Sequence, residues 1–195
     1  SATTSRRHPR RRSGPLRRRS KPGVRSAERV VGDIRNDDDV AAAVAQTVDQ
    51  FGGIDLVVNN ASALDLSPAA SISMKKYDLM QDINARGAFL LSSTAIPHLR
   101  ASDHAHILTL SPPITLAPEW FDEIGTAYTM SKFGMSLVTL GLARELRNDA
   151  VAVNSLWPRT TIDTAAVRNV LGEGLVSRSR SVDIMADAAI EILSR

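Results

Sequence analysis

Tyr128 and Lys132 are the residues whose types and spacing could do chemistry. In the run Tyr128-Thr129-Met130-Ser131-Lys132 they stand four apart, one helical turn from each other on the same face, which places an ammonium beside a phenol. A free tyrosine has a pKa of about 10, so it exchanges protons poorly at neutral pH unless a nearby cation favours the phenolate. Lys132 could be that cation. Alone, the pair is more often an ordinary amphipathic helix with one exposed lysine, and Met135, Leu137, Val138, Leu140 and Leu142 supply the apolar surface such a helix would bury.

The surrounding text must position the pair. Residues 29–34 read as a short strand, 37–50 as a helix begun by acids with Val40, Val44 and Val48 on one face, and 54–61 as a buried strand. Helices are expected at 71–82, 83–99 and from 128 to about 147, with strands at 106–111 and 150–156 and two last helices near 164–171 and 182–193. Strands alternating with helices of this length imply right-handed crossovers, hence an α/β fold with a doubly wound parallel sheet. In such a sheet ligands sit beyond the carboxyl ends of the strands. Polar residues gather there: Asp33 after Val30-Val31-Gly32, then Asn59-Asn60-Ala61-Ser62, then Ser111, then Trp157-Pro158-Arg159-Thr160. Each alone is more often a turn former; their joint order with Tyr128 and Lys132 is not.

With these motifs, residues 28 to 195 resemble the short-chain dehydrogenase/reductase family, and phrases such as 127–135 and 154–160 resemble its hydroxysteroid dehydrogenase-like branch. The resemblance implies a Rossmann-like fold and an NAD(P)-dependent oxidoreductase that interconverts a hydroxyl and a carbonyl on a small or lipid-like substrate. It implies Tyr128 as the proton donor to a carbonyl oxygen or base in the reverse direction. Lys132 would lower the Tyr128 pKa and hold the nicotinamide ribose, and Asn84 would hold a water linking Lys132 to solvent. Asp33 would contact the adenine with Ile34 beside it, Asn60 and Ala61 would line the adenosine path, and the backbone of Ile162 would meet the nicotinamide amide. Ser111 would orient the carbonyl, although it lies seventeen positions before Tyr128 and Pro112-Pro113 follows it, so Thr115 is an alternative. Pro158-Arg159 stands where the family carries Pro-Gly; Arg159 would favour NADP over NAD by meeting a phosphate, the alternative being a solvated loop arginine. Trp120-Phe121 lines either a substrate mouth or a satellite core.

Composition bounds the rest. At 195 residues and 43% hydrophobic content the chain can bury a full core as one domain. It has no cysteine, which excludes disulfides and thiolate chemistry and fits a reducing, cytoplasmic setting. The four histidines show no metal-ligand spacing, and no apolar run is long enough to span a membrane. The net charge of +3 hides two unlike parts: residues 1–27 carry nine Arg and Lys21 without an acid, leaving about −7 on residues 28–195. The basic segment, broken by Pro9, Pro15 and Pro22, is expected to be disordered. It reads as a nucleic-acid arm, an organelle presequence or out-of-frame translation of GC-rich DNA; the last is favoured and a nucleic-acid partner is not expected.

The family's opening strand, glycine-rich turn, helix and second strand have no counterpart, since Gly14 and Gly23 sit alone among Arg and Pro. The text opens on Ser1 and stops before the family's last strand, so both ends are expected to be cut. The sheet is expected to have a gap beside 54–59, and lost phosphate contacts should weaken dinucleotide binding by several kcal/mol. A catalytically inactive binding or dimerisation protein, built on helices 83–99 and 128–147, is therefore the alternative; a homo-oligomer is expected in either case.

Overall fold

A computed structural model describes residues 26–171 and 177–194. Helix α1 (Asp37–Phe51) begins where the Asn36 side chain accepts hydrogen bonds from the Asp38 and Asp39 amides, and Asp37, Asp38 and Asp39 fill the first turn, where the helix dipole favours anions. It ends on Gly52 at φ 82°, a left-handed cap whose N–H donates to the Val48 carbonyl. Strand β1 (Leu56–Asn59) follows. Helix α2 (Met74–Met80), a π-helical turn (Gln81–Arg86) and α3 (Gly87–Leu99) then run on without a break. After β2 (His106–Thr109) come α4 (Pro118–Ile124), α5 (Thr126–Glu145), β3 (Ala152–Ser155), α6 (Ala165–Leu171) and α7 (Asp183–Leu193).

The three strands are parallel in the order β1-β2-β3, with Val57, Ile107 and Val153 in register and Asn59, Thr109 and Ser155 two residues further on. One face carries the core, where Val44, Ile54, Val57, Leu99, Ile107, Leu142 and Leu146 pack together from α1, α3, α5 and the strands. Each such side chain contributes about 1.5–3 kcal/mol by leaving water. The opposite face bears His106 and Asn154, whose side chains meet at 2.8 Å beside a cavity of about 500 Å³ shared with Glu191 and Ile192 of α7.

The parallel doubly wound arrangement agrees with the sequence reading; several local expectations do not. Residues 29–34 form no strand, and Val31 is 92% exposed. A strand exists only when a neighbour takes its N–H and C=O groups, and the described sheet stops at β1. The segment is instead tied to α1, through Gln46 donating to Glu28 and the Asp33 amide donating to Asp39. Strand 54–61 shortens to four residues and is buried on one face only, leaving Leu56 and Val58 exposed. The two helices expected at 71–82 and 83–99 are one continuous helical run through the π-helical turn, and α4, opened by Pro118 in its first turn, was not expected at all. The expectation of disorder at 1–27 falls, for 1–25, outside the described residues.

Two glycines let the backbone segments around the site close up. A Cβ on Gly87 would lie 2.9 Å from Ile34, and one on Gly134 of α5 would lie 2.7 Å from the Cβ of Ala85 in the π-helical turn. Neither approach leaves room for a methyl group. Gly134→Ala should therefore cost about 1–3 kcal/mol by overpacking, measured by urea unfolding, with Ala85→Gly in the same chain restoring part of the loss. An unchanged midpoint would mean that α5 and the turn separate without cost.

Candidate active site

Because the strands are parallel, their carboxyl ends share one edge, and Asn59, Thr109 and Ser155 mark it. All three carry polar side chains, and two are tied inward: the Asn59 carboxamide donates to Ser92 at 2.9 Å and to Thr109 at 3.2 Å. Helix α5 crosses beyond this edge and is anchored to the β2 end, where the Ser136 hydroxyl donates to the Pro112 carbonyl at 2.6 Å. The same face of α5 delivers Tyr128 and Lys132.

Lys132 is 3% exposed. Its ammonium donates to the Leu110 carbonyl at 2.7 Å, touches the Met135 sulfur at 3.2 Å and lies 5.4 Å from the centre of the Trp157 ring. No carboxylate pairs with it among the described residues, and burial lowers its pKa from 10.5 to about 8. Tyr128 moves the other way: burial pushes its phenol up, and a hydrogen bond with Ser62 offsets part of the rise. The expected lowering of Tyr128 by Lys132 is not what this arrangement does. The ammonium is turned towards the Leu110 carbonyl and the indole, so burial governs the phenol.

Asn84 is fully buried in the π-helical turn. Its carbonyl oxygen accepts from the Ala63 amide at 2.7 Å, and its amide nitrogen donates to the Ala63 carbonyl at 3.0 Å and the Ser131 hydroxyl at 2.8 Å. The side chain is thus spent on fastening the β1-end loop to α5. Ser111 is buried at the end of β2, but its hydroxyl pairs with Ser155 at 2.9 Å. The structure therefore brings Asn84, Tyr128 and Lys132 to one place and directs Ser111 to β3. The Thr115 hydroxyl accepts from the Ala117 amide just ahead of α4.

On the other side of the site Asn60 and Ala61 are exposed beyond β1, and Ile34 packs under Gly87. The Asp33 carboxylate is held by the Arg35 guanidinium, which lowers its pKa to about 2. Pro158 is half-buried and Arg159 exposed. Ile162 is buried and bridges to Arg180, with Arg180 donating to the Thr161 carbonyl and Asp163 donating to the Arg180 carbonyl. In that parallel bridge the N–H and C=O of Ile162 itself point to the opposite side.

The sequence reading missed Ser62, Ser131, Ser155 and Trp157. Ser62 was visible as the hydroxyl closing Asn59-Asn60-Ala61-Ser62, but only the tertiary approach of α5 brings it to Tyr128. Trp120, Phe121, Phe133 and Trp157 form an aromatic wall, with Trp120 5.9 Å from Phe133 and 6.5 Å from Trp157, ring centre to ring centre. The indole N–H of Trp120 is buried without a protein hydrogen-bond partner.

Residues 7–190 match the family model described as Enoyl-(Acyl carrier protein) reductase. The chain is 50% identical over 163 residues to hydroxysteroid dehydrogenase-like protein 2 of Xenopus laevis, which covers 84% of this chain and 39% of the relative's length. The crystal structure of a short chain dehydrogenase of Mycobacterium thermoresistibile superposes with a TM-score of 0.78 at 52% identity, covering 85% of this chain and 59% of that one. A gluconate 5-dehydrogenase of Burkholderia cenocepacia, in complex with NADP and tartrate, shares the fold at 20% identity with a TM-score of 0.71, over 83% of this chain and 66% of its own.

The buried Lys132 has a thermodynamic signature. Its folded pKa of about 8 lies below the ordinary lysine value of 10.5, so the penalty for burying the ammonium is complete below pH 8 and disappears above pH 10.5. Between pH 8 and 10 the unfolded chain holds the proton that the folded chain has lost, and stability should rise by about 2 kcal/mol. Above 10 the raised Tyr128 contributes a slope of the opposite sign. Urea unfolding across pH 8–10 should show this rise in the intact chain and its loss in Lys132→Met; equal slopes would mean that the ammonium is solvated.

Proposed function

The chain belongs to the short-chain dehydrogenase/reductase family, and from that premise we propose an NAD(P)-dependent oxidoreductase that interconverts a hydroxyl and a carbonyl on a small or lipid-like substrate. The observation that carries the reading is a half-buried Tyr128 and a buried Lys132, one turn apart on α5 beyond the carboxyl ends of a parallel sheet. A lysine buried without a carboxylate is rare unless it is used.

The residues at the nicotinamide end fit a dinucleotide. Lys132 offers an ammonium to ribose hydroxyls, and the outward backbone of Ile162 offers an N–H and a C=O to a carboxamide. Asp33, Ile34, Asn60 and Ala61 line the path for the adenosine end, where release of the Asp33 carboxylate from Arg35 would free an acceptor for the adenine amine. The bound cofactor would supply or accept a hydride. Tyr128 then settles the charge on the oxygen, giving its phenolic proton to a developing alkoxide or taking one from a hydroxyl. With its phenol raised by burial, Tyr128 starts as the protonated form needed for reduction. Lys132 titrates close enough to neutrality to pass a proton to the emptied phenolate. Ser62, hydrogen-bonded to that phenol, is better placed than Ser111 to hold the substrate oxygen. NADP is preferred to NAD, with the exposed Arg159 available to a phosphate.

A second reading rests on Phe89, Leu137 and Leu140, 54–61% exposed on α3 and α5. They form an apolar surface suited to a second copy of the chain, which could self-associate without turnover.

Calorimetric titration with NADP and NAD separates the two. Micromolar binding is expected, weakened at least tenfold by Lys132→Ala and little changed by Tyr128→Phe, which should instead abolish turnover. A folded, dimeric chain that binds neither dinucleotide would overturn the enzyme reading and leave the second.

A further inference from the structure

Lys132 poses a question that its hydrogen bonds do not answer. A buried ammonium normally has a carboxylate close by, yet among the described residues this one has a single carbonyl oxygen and a thioether as its polar partners. The elements packed around it add no charge. The strand ends at 110–111 and 155–157 and the π-helical turn at Asn84 bring no charged side chain to it, and the other titratable group on its own helix face is Tyr128. What remains is the indole of Trp157, whose ring centre lies 5.4 Å from Nζ. Tryptophan has the most electron-rich face of the aromatic side chains, and a cation within about 6 Å of its centre is attracted by the ring quadrupole, more strongly when water is excluded.

We propose that Trp157 is the positioning residue for Lys132, its indole face standing in for the missing carboxylate and holding the ammonium at the mouth of the β2 and β3 strand ends. A carboxylate would grip the cation and keep it from other ligands. A π face holds it without using any N–H donor, so the donors remain available to ribose hydroxyls; in this respect the proposal rests on the dehydrogenase reading above. The indole is itself held, with Trp120 at 6.5 Å and Phe133 backing Trp120 at 5.9 Å, so its face is presented in a set orientation. Trp157 also excludes water from Lys132, and the two effects have opposite signs. Exclusion of water disfavours the ammonium; the π face favours it.

That opposition makes the test decisive. The intact chain is treated with trace acetic anhydride across pH 6–11 and the acetylation of Lys132 followed by peptide mass spectrometry, which gives its titration midpoint without any cofactor. In Trp157→Leu, which keeps an apolar cover but no π face, the midpoint should fall by about one unit, and in Trp157→Phe, with a weaker face, by about half a unit. A midpoint that rises or stays constant in both would overturn the proposal and reduce Trp157 to a cover. Should either variant fail to fold, Trp120→Phe leaves Trp157 as the chain's one tryptophan. Its emission should then change through the Lys132 midpoint, and the change should vanish when Lys132→Met is added. Emission that ignores the midpoint would equally defeat it. Because none of these readouts involves a dinucleotide, they can fail while the binding test above succeeds, or the reverse.

Discussion

The carboxamide of Asn84 has no water to fall back on, so its oxygen and both of its N–H donors must find partners inside the protein. It finds them in two different places. The Ala63 backbone takes the oxygen and one donor, and the Ser131 hydroxyl takes the other donor. Ser131 in turn donates to the carbonyl of Tyr128. One amide therefore fixes the distance between the loop leaving β1 and the helix carrying Tyr128 and Lys132. Each unmet polar atom there would cost about 1–3 kcal/mol, a large share of a domain's net stability, so alternative spacings of loop and helix are disfavoured together.

Close backbone approach makes this joint possible. Asn84 sits on a π-helical turn, a local widening of the helix that recurs at functional sites, and Gly134 lets α5 settle against Ala85 of that turn so closely that no methyl group would fit between them. Water is squeezed out as a result, and the electrostatics follow. Tyr128 is pushed up and Lys132 pushed down, both towards their neutral forms. The sequence suggested a cation lowering a phenol; the structure shows a low-dielectric site acting on both groups at once. Burial alone shifts both groups, without the lysine charge aimed at the tyrosine.

What was legible in the sequence depended on chain-local information. The four-residue spacing on α5, the valine stripe of α1 and the polar residues that follow β1, β2 and β3 are encoded in neighbouring positions and stand where expected, whereas Asp33 follows no strand. The strand at 29–34 failed because a strand is a property of two chains of residues, and its text holds only one of them. The hydroxyl partnerships failed for a similar reason. Ser111 could be read as facing the site, but the register that sets Thr109 beside Ser155 also places the Ser155 hydroxyl within reach of Ser111. Trp157 was read as part of a strand-end turn; its place over Lys132 follows from how α5 crosses β3.

The two ends of the site differ in how firmly they are built, and this bears on which end sets specificity. Around Lys132, itself 3% exposed, the contacts are a part-buried carbonyl at 2.7 Å, an indole held by further aromatic rings and a helix locked by Asn84. Around Asp33 the principal contact is an ion pair with Arg35, both partners 43% exposed. Exposed pairs of this kind contribute little and exchange readily with solvent. A ligand reaching Asp33 can therefore displace Arg35 at small cost, and the guanidinium so released is free to meet an anion. A ligand reaching Lys132 must accept the geometry already present, because moving the ammonium would break buried contacts that water cannot replace. The Lys132 end is thus the fixed end of the site, and the Asp33 end the one that can rearrange at small cost.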